Sequence, residues 1–389
     1  MNILHVTRET GSDARYGIRK SLTPVLEALR NRRHSVTLFD QDDAVGMPLG
    51  KLVKFAETFY FGLMRRRFGS EGELALAIVM ERVRVARAAA CFAARHKITH
   101  VHCHDPLLAR VYAFFAPVYG ATHCWGYSAH AYGRFAQLRL GVETSASSLA
   151  YLQNWENLAA RKARWVVVPS HSGLNQMLHD LALSTPPSSW HVVPHAVTKP
   201  LVCNRHAARQ ALGLGENEKL LLAVGQLIPL KRFSLLLESI ALLPSEFRPH
   251  LVILGEGNEH EPLLALANKI GMEKRFAIRI ADNISEYLAA ADIYVSVSST
   301  ESYGMANCEA LLAEIPSVCT AVGAVAEVLG EGALLVSDKP EQIASALARL
   351  LISNEERSIL VAKSRRRVAE WLDPEEVASM LENIYADSK

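Results

Sequence analysis

The sequence predicts an α/β protein of two Rossmann-like domains. At 389 residues, the chain exceeds the size at which a single hydrophobic core usually stops growing. An apolar run, a turn and an amphipathic helix follow one another near residue 1 and again near residue 220. A β-branched run at residues 293–297, typical of a buried parallel strand, leads into a polar turn and a further helix. These junctions of strand and helix are what a pair of parallel sheets requires.

The first domain opens with a predicted strand over residues 1–7, after which Ile18 and Val25 belong to an apolar set with helical spacing. The loop between strand and helix contains Gly17, and a glycine lets the backbone approach a phosphate closely. A plain turn glycine explains the same residue equally well. Residues 34–40 form the second predicted strand.

Two patterns raise the question of a metal site. Asp40 and Asp42 form an Asp-x-Asp at the end of the second predicted strand. His100, His102 and His104 alternate, so a strand would direct all three to one face. Acidic residues commonly end such strands, and no further ligands can be assigned around the histidines. We therefore expect both patterns to be structural and no metal to be bound.

Residues 51–69 predict a basic amphipathic helix. Phe59 and Leu63 fall on its apolar face, and the arginine run of residues 65–67 lies near its end. This pattern is typical of a helix that lies on an anionic membrane surface. A helix that packs the same apolar face on the sheet is an equal alternative.

Charge and composition limit the partners. Residues 1–195 carry a net charge of +9 and residues 196–389 one of −7. The basic half needs an anionic neighbour, but no aromatic-basic interleaving or nucleic-acid module is present, so we expect no nucleic acid. An anionic membrane face or the acidic half is the expected neighbour. No transmembrane-length apolar stretch or signal peptide is recognisable, and the six cysteines are scattered, which predicts a cytoplasmic protein with reduced thiols.

The second domain begins with a predicted strand at residues 220–224, a turn at Gly225 and an amphipathic helix. Further along, the polar turn after residues 293–297 holds Glu301, and Glu309 follows eight residues later on the predicted helix. A carboxylate accepts hydrogen bonds only, so two of them in one cleft suit a ligand rich in hydroxyl groups. Two glutamates at this spacing also occur on solvated helix faces.

The segment ESYGMANCEALLAEIPSV, residues 301–318, resembles the donor-site signature of the family 4 glycosyltransferases. These are retaining enzymes of the GT-B fold, in which two Rossmann-like domains face each other across a cleft. The resemblance covers most of the chain and is strongest after Leu220. It implies an acceptor-side domain over residues 1–198, a nucleotide-sugar-binding domain over 199–370, and a last helix over 371–389 that crosses back to the first domain.

The resemblance also implies roles for single residues. His130 would approach the transferring sugar, Lys231 would oppose the diphosphate, and Glu301 would hold sugar hydroxyls as the third catalytic residue. Gln226 stands where relatives carry an arginine, and Arg232 is a candidate for the missing cation. Fixed cations and amides stabilise the departing diphosphate, so no cofactor or metal is implied. The implied donor-binding residues are Gly17, Gln226, Arg232, Gly255, Gly257, Tyr303, Gly304, Met305 and Glu309, the last of these on the ribose.

The implied reaction is retaining, metal-independent hexosyl transfer from a nucleotide-diphosphate sugar to a glycan or lipid-linked acceptor in surface polysaccharide or glycolipid synthesis. Two alternatives stay open. One is a nucleotide-sugar epimerase of the same bilobal fold, and the other is a non-catalytic sugar-nucleotide-binding protein, which the replacement at Gln226 motivates. The implied location is the cytoplasm, with peripheral attachment to the inner face of the plasma membrane through residues 51–69.

Overall fold

The computed structural model describes residues 1–10, 18–45, 51–134, 146–215, 217–281 and 284–388. The chain divides into two compact units. The first comprises Met1–Ala196 together with Asp373–Lys389, and the second comprises Val197–Leu372. The last stretch of chain is therefore part of the first unit.

A six-stranded sheet forms the centre of the first unit, with its strands in the order β2-β1-β3-β4-β5-β6. Every neighbouring pair is parallel, and Leu4 of the first strand lies between Thr37 and Val101. The chain leaves the first strand in one direction across the sheet and later returns to its other side, so the switch point lies between β1 and β3. The strands are β1 (Asn2–Val6), β2 (Ser35–Phe39), β3 (His100–Cys103), β4 (Trp125–Ser128), β5 (Val166–Val168) and β6 (Trp190–Val192).

Helices cover the first sheet, and their ends carry recognisable caps. Asp105 begins one helix by accepting hydrogen bonds from the amides of Leu107 and Leu108, and Gly120 ends it in the left-handed conformation at φ 68°. Apolar side chains of the strands and helices form one buried cluster between the layers. The helices of this unit are Ile18–Asn31, Gln41–Val45, Lys51–Arg95, Pro106–Tyr119, Ala146–Lys162, His171–Asp180 and Pro374–Asp387.

The helix Pro374–Asp387 packs against the helix Ile18–Asn31. Asp373 and Glu376 form a reciprocal capping box at its start. Near its end, Glu382 accepts a hydrogen bond from Arg32 Nε at 2.7 Å, and Tyr385 is fully buried. The last helix is thus a fixed part of the first unit.

The second unit has its own six-stranded parallel sheet, in the order β12-β11-β10-β7-β8-β9. This is the strand order of the doubly wound dinucleotide-binding fold, with the switch point between β7 and β10. The two predicted strands at residues 220–224 and 293–297 are the two strands that meet there. The strands are β7 (Leu220–Val224), β8 (His250–Leu254), β9 (Phe276–Arg279), β10 (Ile293–Ser296), β11 (Ser317–Thr320) and β12 (Leu334–Val336).

Helices also flank the second sheet, and two apolar clusters fill the space between sheet and helices. Three short 3-10 turns, Pro229–Lys231, Ser245–Phe247 and Gly330–Gly332, link these elements. The helices are Arg205–Ala211, Phe233–Ala241, His260–Lys269, Ser285–Ala290, Met305–Leu312, Val325–Leu329, Pro340–Ile352 and Asn354–Val368.

Two chain-wide properties complete the description. Within the described ranges, no helix combines the length and the apolar character needed to cross a membrane. All six cysteines are free thiols, and Cys103, Cys308 and Cys319 are buried. Burial raises the pKa of these three thiols, which keeps them protonated.

Candidate functional site

The site predicted in the second unit lies in the loops that follow β7 and β10, at the switch point of the sheet. The two loops are tied together, because Ser299 donates its amide and its hydroxyl to the carbonyl oxygen of Leu230, at 2.8 and 3.1 Å. The carboxyl ends of parallel strands at such a point are where open α/β sheets bind ligands. The topology therefore brings together residues 69 positions apart in sequence.

A lysine and a glutamate meet at this point. Lys231 Nζ lies 2.5 Å from Glu301 Oε1, and Ser298 Oγ donates to the same oxygen at 2.8 Å. Both side chains are partly accessible, with 22% of Lys231 and 13% of Glu301 exposed. Gly225 permits this approach, because a Cβ there would lie only 3.2 Å from Cε of the lysine. The pair offers a positive charge and a carboxylate oxygen side by side.

Gln226 and Arg232, two further residues predicted to bind the donor, differ in their surroundings. Gln226 is exposed in the loop after β7. Arg232 donates to the carbonyl oxygens of Val297 and Ser298, at 3.1 and 2.8 Å, and pairs with Asp338 at 3.0 Å. Its guanidinium therefore holds the loop after β10 in place. The prediction that Arg232 supplies the missing cation stays a prediction, and in this arrangement it would require these bonds to be exchanged.

Gly255 and Gly257 follow β8, where the backbone of the loop after β7 passes very close. A Cβ on Gly255 would lie 1.9 Å from the carbonyl oxygen of Gly225, and one on Gly257 would lie 2.4 Å from that of Leu227. Gly257 also has φ 151°, where side chains are disfavoured. Both predicted glycines thus have a demonstrable backbone role, and they fix the loop that carries Lys231.

The loop around Glu301 is shaped by glycines as well. Gly304 has φ 80° and precedes the helix Met305–Leu312. Gly323 has φ 55°, and a Cβ there would lie 2.1 Å from the carbonyl oxygen of Glu301. That oxygen also accepts the amide of Ala324 at 2.9 Å. The backbone of Glu301 is therefore held from the loop after β11.

Glu309 and Tyr303 are both buried, at 5% exposure each. Glu309 lies on the helix Met305–Leu312. Burial raises the pKa of Tyr294, and Cys319, Glu301 and Glu309 act in the same direction. The side chain of Tyr303 packs in the core, and that of Met305, another residue whose amide is predicted to bind the donor, is partly buried.

In the first unit, His130 follows β4 and stacks between two further histidines. Its ring centroid lies 5.2 Å from those of His104 and His195, and its Nε2 lies 3.0 Å from Nδ1 of His104. Burial, with His195 as the next cause, holds the pKa of His130 well below its usual range. His130 is therefore neutral at physiological pH, and a neutral imidazole donates a hydrogen bond from one ring nitrogen and accepts one at the other.

A cavity of about 40 Å³ lies beside these rings, within the first unit. It sits at the carboxyl ends of β3 to β6, next to the switch point between β1 and β3, and the helices Ile18–Asn31 and Pro374–Asp387 close it on their side. Its volume exceeds the roughly 10 to 15 Å³ that one water molecule needs. Polar atoms line it at His102, His104, Ser128, His130 and His195.

Asp40 and His100, one residue from each of the two metal patterns, have hydrogen-bond partners within the protein. Asp40 accepts hydrogen bonds from Arg19 and from the amides of Asp42 and Asp43, which starts a short helix. His100 contacts the carbonyl oxygen of Tyr385. Across the described ranges, no group of three or more His, Cys, Asp or Glu side chains is arranged to hold a metal ion.

Two further predictions concern the loop after β1 and the basic helix. Gly17 lies outside the described residues. The basic segment of residues 51–69 is the beginning of one helix of 45 residues, Lys51–Arg95, whose continuation beyond residue 69 the sequence analysis missed. On it Phe59 and Leu63 are 68% and 53% exposed. These two side chains do not pack on the sheet.

Sequence reasoning also missed several residues around His130. His5, Trp165 and Tyr385 are fully buried. His5 bonds to His104, Trp165 and Tyr385 both bond to His102, and the ring of His195 lies against that of His130. The available signal was position: His5 and His195 stand at or just beyond the carboxyl ends of predicted parallel strands, where such sheets gather functional side chains.

Comparison with known proteins gives a family match. Residues 204–367 match the family model described as Glycosyl transferases group 1, which confirms the resemblance seen at residues 301–318. N-acetyl-alpha-D-glucosaminyl L-malate synthase of Bacillus anthracis is 26% identical over 242 residues, covering 61% of this chain and 63% of that protein. The chain spans less than two thirds of the length of the curated relatives it matches.

Solved structures resemble the whole chain. A sucrose-phosphate synthase from Thermosynechococcus elongatus superimposes with a TM-score of 0.76 at 18% identity, covering 100% of this chain and 99% of that one. HepE of Anabaena, solved with UDP-glucose, gives 0.70 at 16% identity and covers 99% of both chains. At these identities the likeness shows the fold, and it confirms two Rossmann-like halves of the GT-B class.

Proposed function

We propose that this chain, whose residues 204–367 match the family model described as Glycosyl transferases group 1, transfers a sugar from a nucleotide-diphosphate sugar. The acceptor in this proposal is a glycan or a lipid-linked molecule, and the anomeric configuration is retained. The observation that carries the proposal is the Lys231–Glu301 pair at the switch point of the second unit.

The pair matches the two ends of such a donor. The ammonium of Lys231 provides a compact positive charge for a diphosphate, and the carboxylate of Glu301 accepts hydrogen bonds from sugar hydroxyls. In the protein alone these two groups neutralise each other at 2.5 Å. A donor would replace this single contact by a phosphate on the lysine and hydroxyls on the glutamate.

The neighbouring residues complete the proposed donor site. Glu309 would accept hydrogen bonds from the ribose, and the amides of Tyr303, Gly304 and Met305 would face the sugar or phosphate. No side-chain cap is seen at the start of the helix Met305–Leu312 in the described structure, so its first amides are not consumed by a cap. Helix N-terminal amides favour anionic and hydroxyl groups.

The proposed chemistry breaks the bond between the anomeric carbon and the donor phosphate oxygen, and forms a bond from that carbon to an acceptor oxygen. The departing nucleoside diphosphate takes up the electron pair and, in the proposed retaining route, the acceptor proton. Lys231 and the helix amides stabilise its growing negative charge. This scheme requires no metal. The role of His130 towards the sugar, which the resemblance implies, stays part of the proposal.

The proposed acceptor and location depend on the helix Lys51–Arg95. Its exposed Phe59 and Leu63 and the exposed Arg65 and Arg66 place apolar and basic groups together in solvent. Such a combination suits the surface of an anionic membrane. We therefore propose a cytoplasmic enzyme that attaches reversibly to a membrane carrying its acceptor.

The direct test is thermal stabilisation by a panel of nucleoside diphosphates and nucleotide sugars. Stabilisation by at least one nucleotide sugar is expected for the wild type, and it should shrink strongly in Lys231→Ala. Lys363→Ala is the matched control, because Lys363 also pairs with a glutamate in this unit, at 3.2 Å from Glu331. Equal shifts in both variants would remove Lys231 from the donor site.

Transfer itself is tested with the stabilising donor and candidate acceptors. The anomeric configuration of the product, read by NMR, decides between retention and inversion. Conversion of the donor without any acceptor would instead indicate an epimerase, and tight binding without turnover would indicate a non-catalytic binding protein.

A further inference from the structure

Five histidine rings form a continuous row in the first unit. His5 lies on β1, His102 on β3, and His104, His130 and His195 follow strand ends. Neighbouring ring centroids are between 5.0 and 5.2 Å apart, with interplanar angles from 12° to 23°. Hydrogen bonds also join these rings. His5 bonds to His104 and His104 to His130, while Tyr385 connects His102 to His5.

At one end of the row, at His102, the donor and acceptor of each hydrogen bond can be assigned. Trp165 Nε1 donates to His102 Nδ1 at 3.3 Å, and an indole nitrogen can only donate. His102 Nδ1 is therefore an acceptor without a proton, and the ring proton resides on Nε2, which donates to Ser128 Oγ at 2.7 Å. The ring of Trp165 packs directly against Gly126, since it fills the space that a Cβ there would occupy.

Tyr385 connects His102 to His5, and its donor and acceptor roles follow from those of His102. Tyr385 Oη lies 2.8 Å from the same Nδ1 of His102, so the hydroxyl donates its proton there. Its oxygen can then only accept from His5 Nε2, at 3.4 Å. A neutral imidazole carries one ring proton, so a proton on Nε2 of His5 leaves its Nδ1 bare.

Two more imidazoles carry the same direction to His130. The bare Nδ1 of His5 accepts from His104 Nε2 at 3.0 Å, which leaves Nδ1 of His104 bare. That nitrogen accepts from His130 Nε2, also at 3.0 Å. The bare atom at the end is Nδ1 of His130, which is buried and has no hydrogen-bond partner in the described part of the chain.

The five rings are neutral at physiological pH. Burial lowers the pKa of His5 to about 3 and holds those of His102 and His104 well below their usual range. Asp105 acts on the pKa of His130 in the opposite, raising sense, but this carboxylate is itself paired with Arg82 at 2.6 Å. At neutral pH each ring therefore carries a single proton.

We propose that Trp165 and Tyr385 are positioning residues, which act through His102, His5 and His104 to hold His130 in the tautomer whose Nδ1 accepts a hydrogen bond from a substrate hydroxyl. The substrate rests on the function proposed above, whereas the tautomer is a property of the protein alone. A hydroxyl group of either the donor sugar or the acceptor would satisfy the buried acceptor beside the cavity.

The tautomers can be read directly by long-range ¹H–¹⁵N correlation spectra of protein labelled at histidine nitrogens. In the wild type we expect His130, His104 and His5 to be protonated on Nε2 and bare on Nδ1. Tyr385→Phe removes a single oxygen and should leave all three rings in mixed tautomers, while His102, still bound by Trp165, keeps its own. A wild-type His130 protonated on Nδ1 would overturn the proposal, as would a Tyr385→Phe spectrum identical to that of the wild type.

Tyr112→Phe is the matched control. Tyr112 is fully buried in the same unit, and its hydroxyl donates outside the row, to the carbonyl oxygen of Thr122 at 3.1 Å. Its replacement should leave the tautomers of all five histidines unchanged. A change in His130 equal to that caused by Tyr385→Phe would mean that general loosening of the unit, and not the hydrogen-bond chain, sets the tautomer.

Transfer kinetics test the substrate half of the proposal. Loss of the fixed acceptor in Tyr385→Phe should lower kcat/KM about twofold if the two tautomers of His130 become equally populated, because only the competent fraction binds the hydroxyl. A weaker donor affinity assigns the hydroxyl to the donor sugar, and a raised acceptor KM assigns it to the acceptor. Altered tautomers with unchanged kinetics would overturn the substrate role. Absence of transfer in the wild type would refute the proposed function and leave the tautomer result intact.

Discussion

Acid should unfold the first unit, and His5 allows the size of the effect to be worked out. Its ring is fully buried, and burial, with a smaller contribution from Arg30, lowers its pKa to about 3. In the unfolded chain the pKa of a histidine is about 6.5. Above that value both states are neutral, so His5 contributes no pH dependence there.

As the pH falls below about 6.5, the unfolded chain takes up a proton on His5 that the folded unit does not. Stability is then lost at about 1.4 kcal/mol per pH unit until the pH nears about 3. At about pH 5 the loss from this one residue is about 2 kcal/mol. His102, His104 and His130 are shifted in the same direction, so the wild type should lose more than this.

The assay is urea unfolding at about pH 8 and about pH 5, followed by tryptophan fluorescence. Four tryptophans, Trp125, Trp155, Trp165 and Trp190, lie in the first unit, so the signal reports chiefly on that unit. The quantity compared is the loss of unfolding free energy between the two pH values, which does not depend on how stable each variant is at the higher pH.

His5→Gln removes the titrating group and should reduce that loss by about 2 kcal/mol. His123→Gln is the control, because His123 is exposed in the loop before β4 and loses little hydration on folding. If wild type and His5→Gln lose equal free energy between the two pH values, the buried row does not destabilise the unit in acid and the reasoning fails.

The remaining predictions concern the second unit and the basic helix. Glu309→Ala should weaken nucleotide-sugar binding by about 1 to 3 kcal/mol in calorimetry, and unchanged affinity would remove its ribose role. Gly255→Ala should destabilise the second unit by more than about 1 kcal/mol in urea unfolding, because its Cβ would lie 1.9 Å from a carbonyl oxygen, whereas Gly215→Ala, with 3.4 Å to its nearest neighbour, should be nearly neutral. Chelation with EDTA should leave transfer intact; a loss that Mn²⁺ reverses would show that a metal takes part. Serine at residues 65–67 should reduce sedimentation with anionic vesicles but not with neutral ones, and equal recovery in all cases would speak against membrane attachment.

In the second unit, local sequence patterns are enough to predict the strands that position the candidate site. The apolar runs at residues 220–224 and 293–297 predict strands, and the parallel topology requires the loops after them to meet at one edge. The sequence could therefore place Lys231 near Glu301 without any knowledge of distances. The sequence could not predict the hydrogen bonds of Arg232, because the carbonyl oxygens that bind its guanidinium belong to residues 65 and 66 positions further along.

The histidine row could not be predicted, for a related reason. THVHCHDP predicts that its three histidines share one face of a strand and favours a structural role, but it does not indicate their hydrogen-bond partners. The hydrogen bonds that define the row join His5 to His104 and His102 to Tyr385, across 99 and 283 residues. Only the folded sheet, with the last helix placed on it, brings these groups together.

The position of that last helix also dictates an order of events during synthesis. The first unit receives most of its chain before residue 197 and its final helix only after residue 373. Ribosomes deliver residues in sequence, at about 5 to 20 per second. The partners waiting for the helix, among them Arg32 and His34, which bind Glu382, therefore stay uncovered until the whole second unit has been made. The unit that begins first on the ribosome is thus the one that is finished last.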